Sequence, residues 1–109
     1  MAIFRKKVLV RIEAQVQWIA KYDVEARVYM GLCPALNLNA IGDTWIDFQE
    51  CANEAMGALF MDLFRSGEFV QFMRVKGWQF SPLPAAGSAP RFDIPFETRQ
   101  VSELSHTIA

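Results

Sequence analysis

The chain is expected to fold as an α+β domain: a three- to four-stranded antiparallel sheet with one main helix packed on one face. Three observations point there. Residues from Val8 to Tyr22 alternate apolar and polar, residues from Trp45 to Leu63 repeat apolar side chains at helical spacing, and turn-forming residues break up the stretch between them.

In the first run the even positions are Val8, Val10, Ile12, Ala14, Val16, Trp18, Ala20 and Tyr22, and Arg11, Glu13, Gln15, Gln17 and Lys21 fall between them. A period of two marks a strand with one face in a core. The run exceeds the usual length of about 5–6 residues, which predicts a bulge or a break inside it. Asp23-Val24-Glu25-Ala26 predicts a hairpin turn, although it lacks an Asn-Gly pair. A second strand is expected over Arg27 to Leu32. Pro34 has no amide hydrogen, so Cys33-Pro34 interrupts pairing. A third strand, Ala35 to Ile41, puts Leu36, Leu38 and Ala40 on one face and Asn37 and Asn39 on the other.

Gly42-Asp43-Thr44 starts the main helix. Thr44 can cap free amides, and Asp47 three residues on completes a variant capping box. Trp45, Phe48, Ala52, Ala55, Met56, Leu59 and Leu63 share one face. Asp43, Asp47, Glu50 and Glu54 share another, near the positive end of the helix dipole. Gly57 weakens the middle, and Ser66-Gly67 ends the helix. A short second helix, Glu68 to Lys76, carries Phe69, Phe72 and Met73 on its apolar side. Gly77 stops it, and Trp78 folds back. Composition changes at Ser81. The prolines Pro82, Pro84 and Pro90 with Gly87 read as a linker or extended arm. Phe92, Ile94 and Phe96 then read as a single edge strand, since Pro95 forbids a central one. Thr98 to Ile108 reads as a short terminal helix or a frayed end. The expected organisation is a folded domain over residues 1–80 and an arm over 81–109.

The 109 residues are 52% hydrophobic and 21% charged, enough for one modest core. Net charge is −1 and the sequence pI is about 5.8, which argues against strong non-specific binding to nucleic acid. The local exception is Arg5, Lys6, Lys7 and Arg11, a candidate nucleic-acid patch whose competing reading is a solubilising start to the first strand. Cys33 and Cys51 read as free thiols, the amino terminus does not look like a signal sequence, and no stretch approaches the roughly 20 apolar residues of a membrane span. A cytoplasmic protein is the expectation.

The ordered set Tyr22-Asp23-Val24-Glu25-Ala26-Arg27-Val28-Tyr29, Cys33-Pro34-Ala35-Leu36 and Gly42-Asp43-Thr44 with its amphipathic helix resembles the HicB-like antitoxin family. Leu63-Phe64-Arg65-Ser66-Gly67 and Gly77-Trp78 look like the segments after the main helix in that family. The resemblance covers about residues 6 to 80. It implies a β-β-β-α core, a partial ribonuclease-H-like or double-stranded-RNA-binding-like fold without catalytic residues. It also implies homo-oligomers (a dimer or a tetramer) and a partner, a HicA-like RNA-cleaving toxin that the domain binds and blocks. The family's best-known members add a C-terminal DNA-binding domain. The 29 residues after Phe80 do not hold a helix-turn-helix, so DNA binding is not expected of this chain.

Asp47, Glu50 and Glu54 are the candidate partner-binding residues, because an acidic stripe complements a basic RNA-binding surface. An ordinary solvated helix face is the competing reading. Asp23 with Glu25 fits a turn better than an acid–base pair, since no nucleophile or metal ligand accompanies them. His106 stands alone, and Cys33 reads as a small buried hydrophobe. The aromatic residues phase inward, with Trp18 or Trp78 as candidate interface anchors. No catalytic, metal-binding or cofactor-binding set emerges. The expectation is a protein-binding antitoxin or antitoxin-derived regulator that occludes its toxin, with a stand-alone RNA-binding or oligomeric interaction module as the alternative.

Overall fold

The computed structural model describes residues 7–85 and 87–102. Its elements are β1 (Lys7–Glu13), β2 (Val16–Asp23), β3 (Val28–Cys33), β4 (Leu38–Gly42), α1 (Trp45–Ser66), α2 (Phe69–Lys76), β5 (Gln79–Ser81), β6 (Ala89–Asp93) and β7 (Phe96–Gln100). The class is α+β. The strands form two mixed sheets, ordered β5-β1-β6 and β4-β3-β2-β7, in place of one antiparallel sheet. The long first run does break, at Ala14-Gln15, and its halves join different sheets. The chain divides into two compact units, and the division runs through α1 between Met56 and Gly57.

One unit holds β1, α1 from Gly57 onward, α2, β5 and β6. β1 is its central strand, antiparallel to β5 and parallel to β6, with Ile12 opposite Phe80 and Val10 opposite Phe92. Val10, Ile12, Phe60, Phe69, Met73 and Ile94 are buried. Phe60 meets the rings of Phe69, Phe72 and Phe92 at 6.2, 6.0 and 5.9 Å, and Phe69 meets Phe80 at 4.8 Å. Tilted and edge-on pairs of this kind add to what their burial contributes. Both helices end in a left-handed glycine. Gly67 has φ +79°, with Glu68 N–H donating to the Leu63 carbonyl at 2.8 Å. Gly77 has φ +71°, with Trp78 N–H donating to the Met73 carbonyl at 3.0 Å. These bonds satisfy carbonyls that a helix end leaves open.

The other unit holds β2, β3, β4, α1 up to Met56, and β7. β2–β3 and β3–β4 pair antiparallel, while β7 joins β2 in parallel with Val16 opposite Phe96. The β2–β3 turn lies where the sequence places it. Asp23 Oδ1 accepts from the N–H groups of Glu25 and Ala26 at 3.0 and 3.1 Å, and Arg27 takes a left-handed φ of 57°. The third strand starts later than expected, at Leu38. Residues Cys33 to Asn37 are held in a turn instead, with Leu36 N–H donating to the Cys33 carbonyl and Asn37 at φ 54°. Asparagine tolerates that conformation, and Pro34 has no hydrogen to offer a ladder.

The arm after Ser81 departs most from expectation. Its single edge strand is two strands, one in each sheet, separated by Ile94-Pro95. Pro90 sits within β6, an edge strand, where a missing donor is tolerated. Of the segment Thr98 to Ile108, expected as a short terminal helix or a frayed end, Thr98 to Gln100 belong to β7, and the part from residue 103 lies outside the described residues.

Candidate functional site

The acidic row is built by the corner that launches α1. Gly42 ends β4 so close to the helix that a Cβ there would collide with the Phe48 amide nitrogen and lie 2.6 Å from the Asp47 carbonyl carbon. Only glycine permits that approach. Thr44 Oγ1 then accepts the Asp47 N–H at 3.1 Å, the capping bond that the sequence predicts. From this fixed start, Asp47, Glu50 and Glu54 follow at intervals of three and four, on one side of the helix, and all three are exposed. Phe48, Ala52 and Met56 are fully buried. The row is therefore a solvated face on a helix anchored by its opposite side.

The basic candidates are placed less completely. Arg5 and Lys6 lie outside the described residues, as does His106. Lys7 and Arg11 are exposed on β1, alternating with the core positions Val10 and Ile12. Register adds a residue that the sequence reading missed: Arg91 on β6 lies opposite Leu9, between Lys7 and Arg11 along the neighbouring strand. Asp93 lies opposite Arg11, and Glu13 follows on the same face. This face of β5-β1-β6 is thus charged with both signs.

Neither cysteine is in a disulfide; Cys33 is buried and Cys51 half-buried. Trp18 has no exposed surface, sets its ring edge-on to Phe48 at 6.1 Å, and donates Nε1–H to Met56 Sδ at 3.5 Å. It is a core residue, which removes it as an interface anchor. Trp78 is half-buried, edge-on to Phe72, with Lys76 Nζ 5.9 Å from its ring. Among the described residues no group of three or more His, Cys, Asp or Glu could hold a metal ion, and no helix is long and apolar enough to cross a membrane.

A second surface escaped the sequence reading. In β4-β3-β2-β7, the row Ala20, Gly31, Ala40 faces α1: a Cβ on Gly31 would meet Phe48 Cζ at 2.6 Å. The adjacent row Lys21, Met30, Ile41 therefore faces the other way, with Leu32 and Asn39 beside it. A cavity of about 590 Å³ is lined by Lys21, Met30, Leu32, Asn39 and Ile41, by Gly31 and Ala40, and by Cys51 of α1. The signal was present in the sequence. Val28-Tyr29-Met30-Gly31-Leu32-Cys33 is apolar in both phases of the strand, as in a strand with something on each face.

Comparison with protein-family models, with curated proteins and with solved structures gave no match.

Proposed function

We propose that this chain is a cytoplasmic, non-enzymatic protein-binding module, an antitoxin or antitoxin-derived regulator of the HicB-like kind. It would act by covering the RNA-binding and catalytic surface of a small, basic, RNA-cleaving toxin. The observation that carries this reading is the exposed carboxylate row Asp47, Glu50 and Glu54 on a capped helix whose far side is buried. Carboxylates held on a rigid element steer a basic partner and fix its register. The residues behind the resemblance support the same reading, because Cys33-Pro34-Ala35-Leu36 and Gly42-Asp43-Thr44 are the ones that shape the turn before β4 and the corner into α1. The edge strands β4 and β7 offer backbone groups for pairing with a second copy, which fits a dimer or a tetramer.

The test is recovery of the tagged protein from its native lysate, with mass spectrometry of the material that survives a salt wash. A small basic RNA-cleaving protein in near-equal amount is the expected result. The triple variant Asp47→Lys, Glu50→Lys, Glu54→Lys should weaken its binding by about tenfold or more at low salt, and by less at high salt. Unchanged affinity removes these residues from the interface. Recovery of RNA instead would favour a second reading, an RNA-binding module, which rests on the patch of Lys7 and Arg11 that Arg91 extends.

A further inference from the structure

We infer that the aromatic row Tyr22, Tyr29 and Trp45, at the corner where α1 leaves the sheet β4-β3-β2-β7, is the seat for an arginine side chain of a protein partner. The inference rests on the protein-binding reading for the class of partner, and on its own geometry for the place.

Strand register builds the row. Tyr22 on β2 lies opposite Tyr29 on β3, and Tyr29 lies opposite Gly42 on β4. These residues are two places along their strands from Ala20, Gly31 and Ala40, so they share the face turned toward α1. The helix backbone at Asp47 and Phe48 packs on Gly42, where a side chain would otherwise stand. The rings then follow one another, Tyr22 to Tyr29 at 4.8 Å and Tyr29 to Trp45 at 5.3 Å. Trp45 stacks on Phe48 at 5.5 Å, and Phe48 meets the fully buried Trp18 edge-on. The inner end of the row is thus fixed by the core. Its outer end is open: Tyr22 is 43% exposed, and Tyr29 and Trp45 are half-buried. Tyrosine and tryptophan held in this way give a partner a large contact area with little side-chain freedom left to lose.

The rings and their neighbours then select the partner's group. An aromatic face attracts a cation. The chain itself shows that pairing at the end of α2, where Lys76 Nζ lies 5.8 Å from the Phe72 ring and 5.9 Å from the Trp78 ring. Among the described residues no lysine or arginine lies over Tyr22, Tyr29 or Trp45. The charges that adjoin the row along the chain are Asp23 and Glu25 in the β2–β3 turn and Asp43 and Asp47 at the start of α1, against Lys21 and Arg27. Lys21 belongs to the opposite face of the sheet. Open rings beside an excess of carboxylates favour a cationic group. A guanidinium suits them better than an ammonium, because it lies flat on a ring while its N–H groups still reach a carboxylate at the rim. Asp47 also belongs to the row of Glu50 and Glu54, so the seat adjoins the surface proposed above for the toxin.

The test is an NMR titration of the isotope-labelled protein at low salt with a capped peptide of alternating arginine and glycine. It is read at the tryptophan indole N–H signals, with Trp45 assigned from Trp45→Phe. The Trp45 signal should move in a saturable way, and that of Trp18, which has no exposed surface, should not. The same peptide with citrulline for arginine, neutral and alike in shape, should bind at least about tenfold more weakly. Tyr22→Leu, at an exposed position, keeps apolar bulk without the ring and should weaken the arginine peptide roughly two- to fivefold. A Trp45 signal that stays still, equal binding of the citrulline peptide, or unchanged affinity in Tyr22→Leu would each overturn the seat. The toxin-binding reading is decided separately. A basic partner recovered from lysate whose affinity ignores Tyr22→Leu would overturn the seat and leave that reading standing.

Discussion

The two sheets obey the same alternation and distribute charge and apolar surface differently over their outer faces. On β5-β1-β6 the residues turned away from the core are mostly charged, Lys7, Arg11 and Glu13 on β1 and Arg91 and Asp93 on β6, with Gln79 and Ser81 polar and Leu9 and Ala89 apolar. On β4-β3-β2-β7 the outer face carries Met30, Leu32 and Ile41 on β3 and β4, with Lys21 and Asn39 among them, and its charges gather toward β7, where Glu97 and Arg99 are exposed. Leu9 and Ile41 are exposed alike, at 48% and 55%. Their neighbours differ. A lone apolar residue among charges needs no explanation, whereas an apolar residue beside two others and a cavity marks a surface kept for contact. The inner faces differ in kind too. The first unit fills with phenylalanines (Phe60, Phe69, Phe80 and Phe92), and the second with Trp18, Tyr29, Trp45, Phe48 and Met56 around two glycines that let α1 approach.

The largest expected effect tests whether the two interiors are equally tight. Phe60 and Phe48 are both fully buried, one in each unit. Phe60→Ala and Phe48→Ala should each cost about 3–5 kcal/mol in urea denaturation. Trp78 lies in the first unit, and Trp18 and Trp45 lie in the second, so tryptophan fluorescence follows each unit when the others are replaced. A cost below about 1 kcal/mol at one site would show that its aromatic cluster is loosely packed, and the comparison would break there.

A smaller effect tests the glycine that only the second sheet uses. Gly31→Ala would set a Cβ 2.6 Å from Phe48 Cζ and 2.8 Å from the Ile19 carbonyl oxygen. The ring can turn but the strand cannot yield, so a loss of about 1–3 kcal/mol is expected in thermal melting. A neutral outcome would mean that α1 can lift from the sheet without penalty.

The smallest effect sharpens the contrast between outer faces. Leu9→Ser and Ile41→Ser should each change stability by less than about 0.5 kcal/mol. A loss above about 1 kcal/mol in either variant would mean that its side chain carries packing on that face.

Legibility followed range along the chain. The Thr44 cap, the glycine stops at Gly67 and Gly77, the Asp23 turn and both helices were readable, because each depends on a few consecutive residues. The acidic row was readable for the same reason, since helical spacing alone sets Asp47, Glu50 and Glu54 on one side. The start of β4 was misplaced because Asn37 fits either a strand's polar face or a left-handed turn, and the turn bonds decided it. Arg91 could not be joined to Lys7 and Arg11 from the sequence, because only the parallel pairing of β6 with β1 sets it opposite Leu9.

What the sequence determined by itself is the class, the helices, their caps and which side of β1 and β2 is apolar, since all depend on local torsional preference and the period of the hydrophobic pattern. What only the tertiary structure decided is which strands pair. The runs Val8–Tyr22 and Phe92–Phe96 each read as one strand, yet each divides between two sheets. Alternation says that a strand must cover a face but does not name its partner, and that choice rests on contacts between residues distant in the chain. The cavity over β2, β3 and β4 belongs to the same category, because it exists only once Lys21, Met30 and Ile41 stand in register.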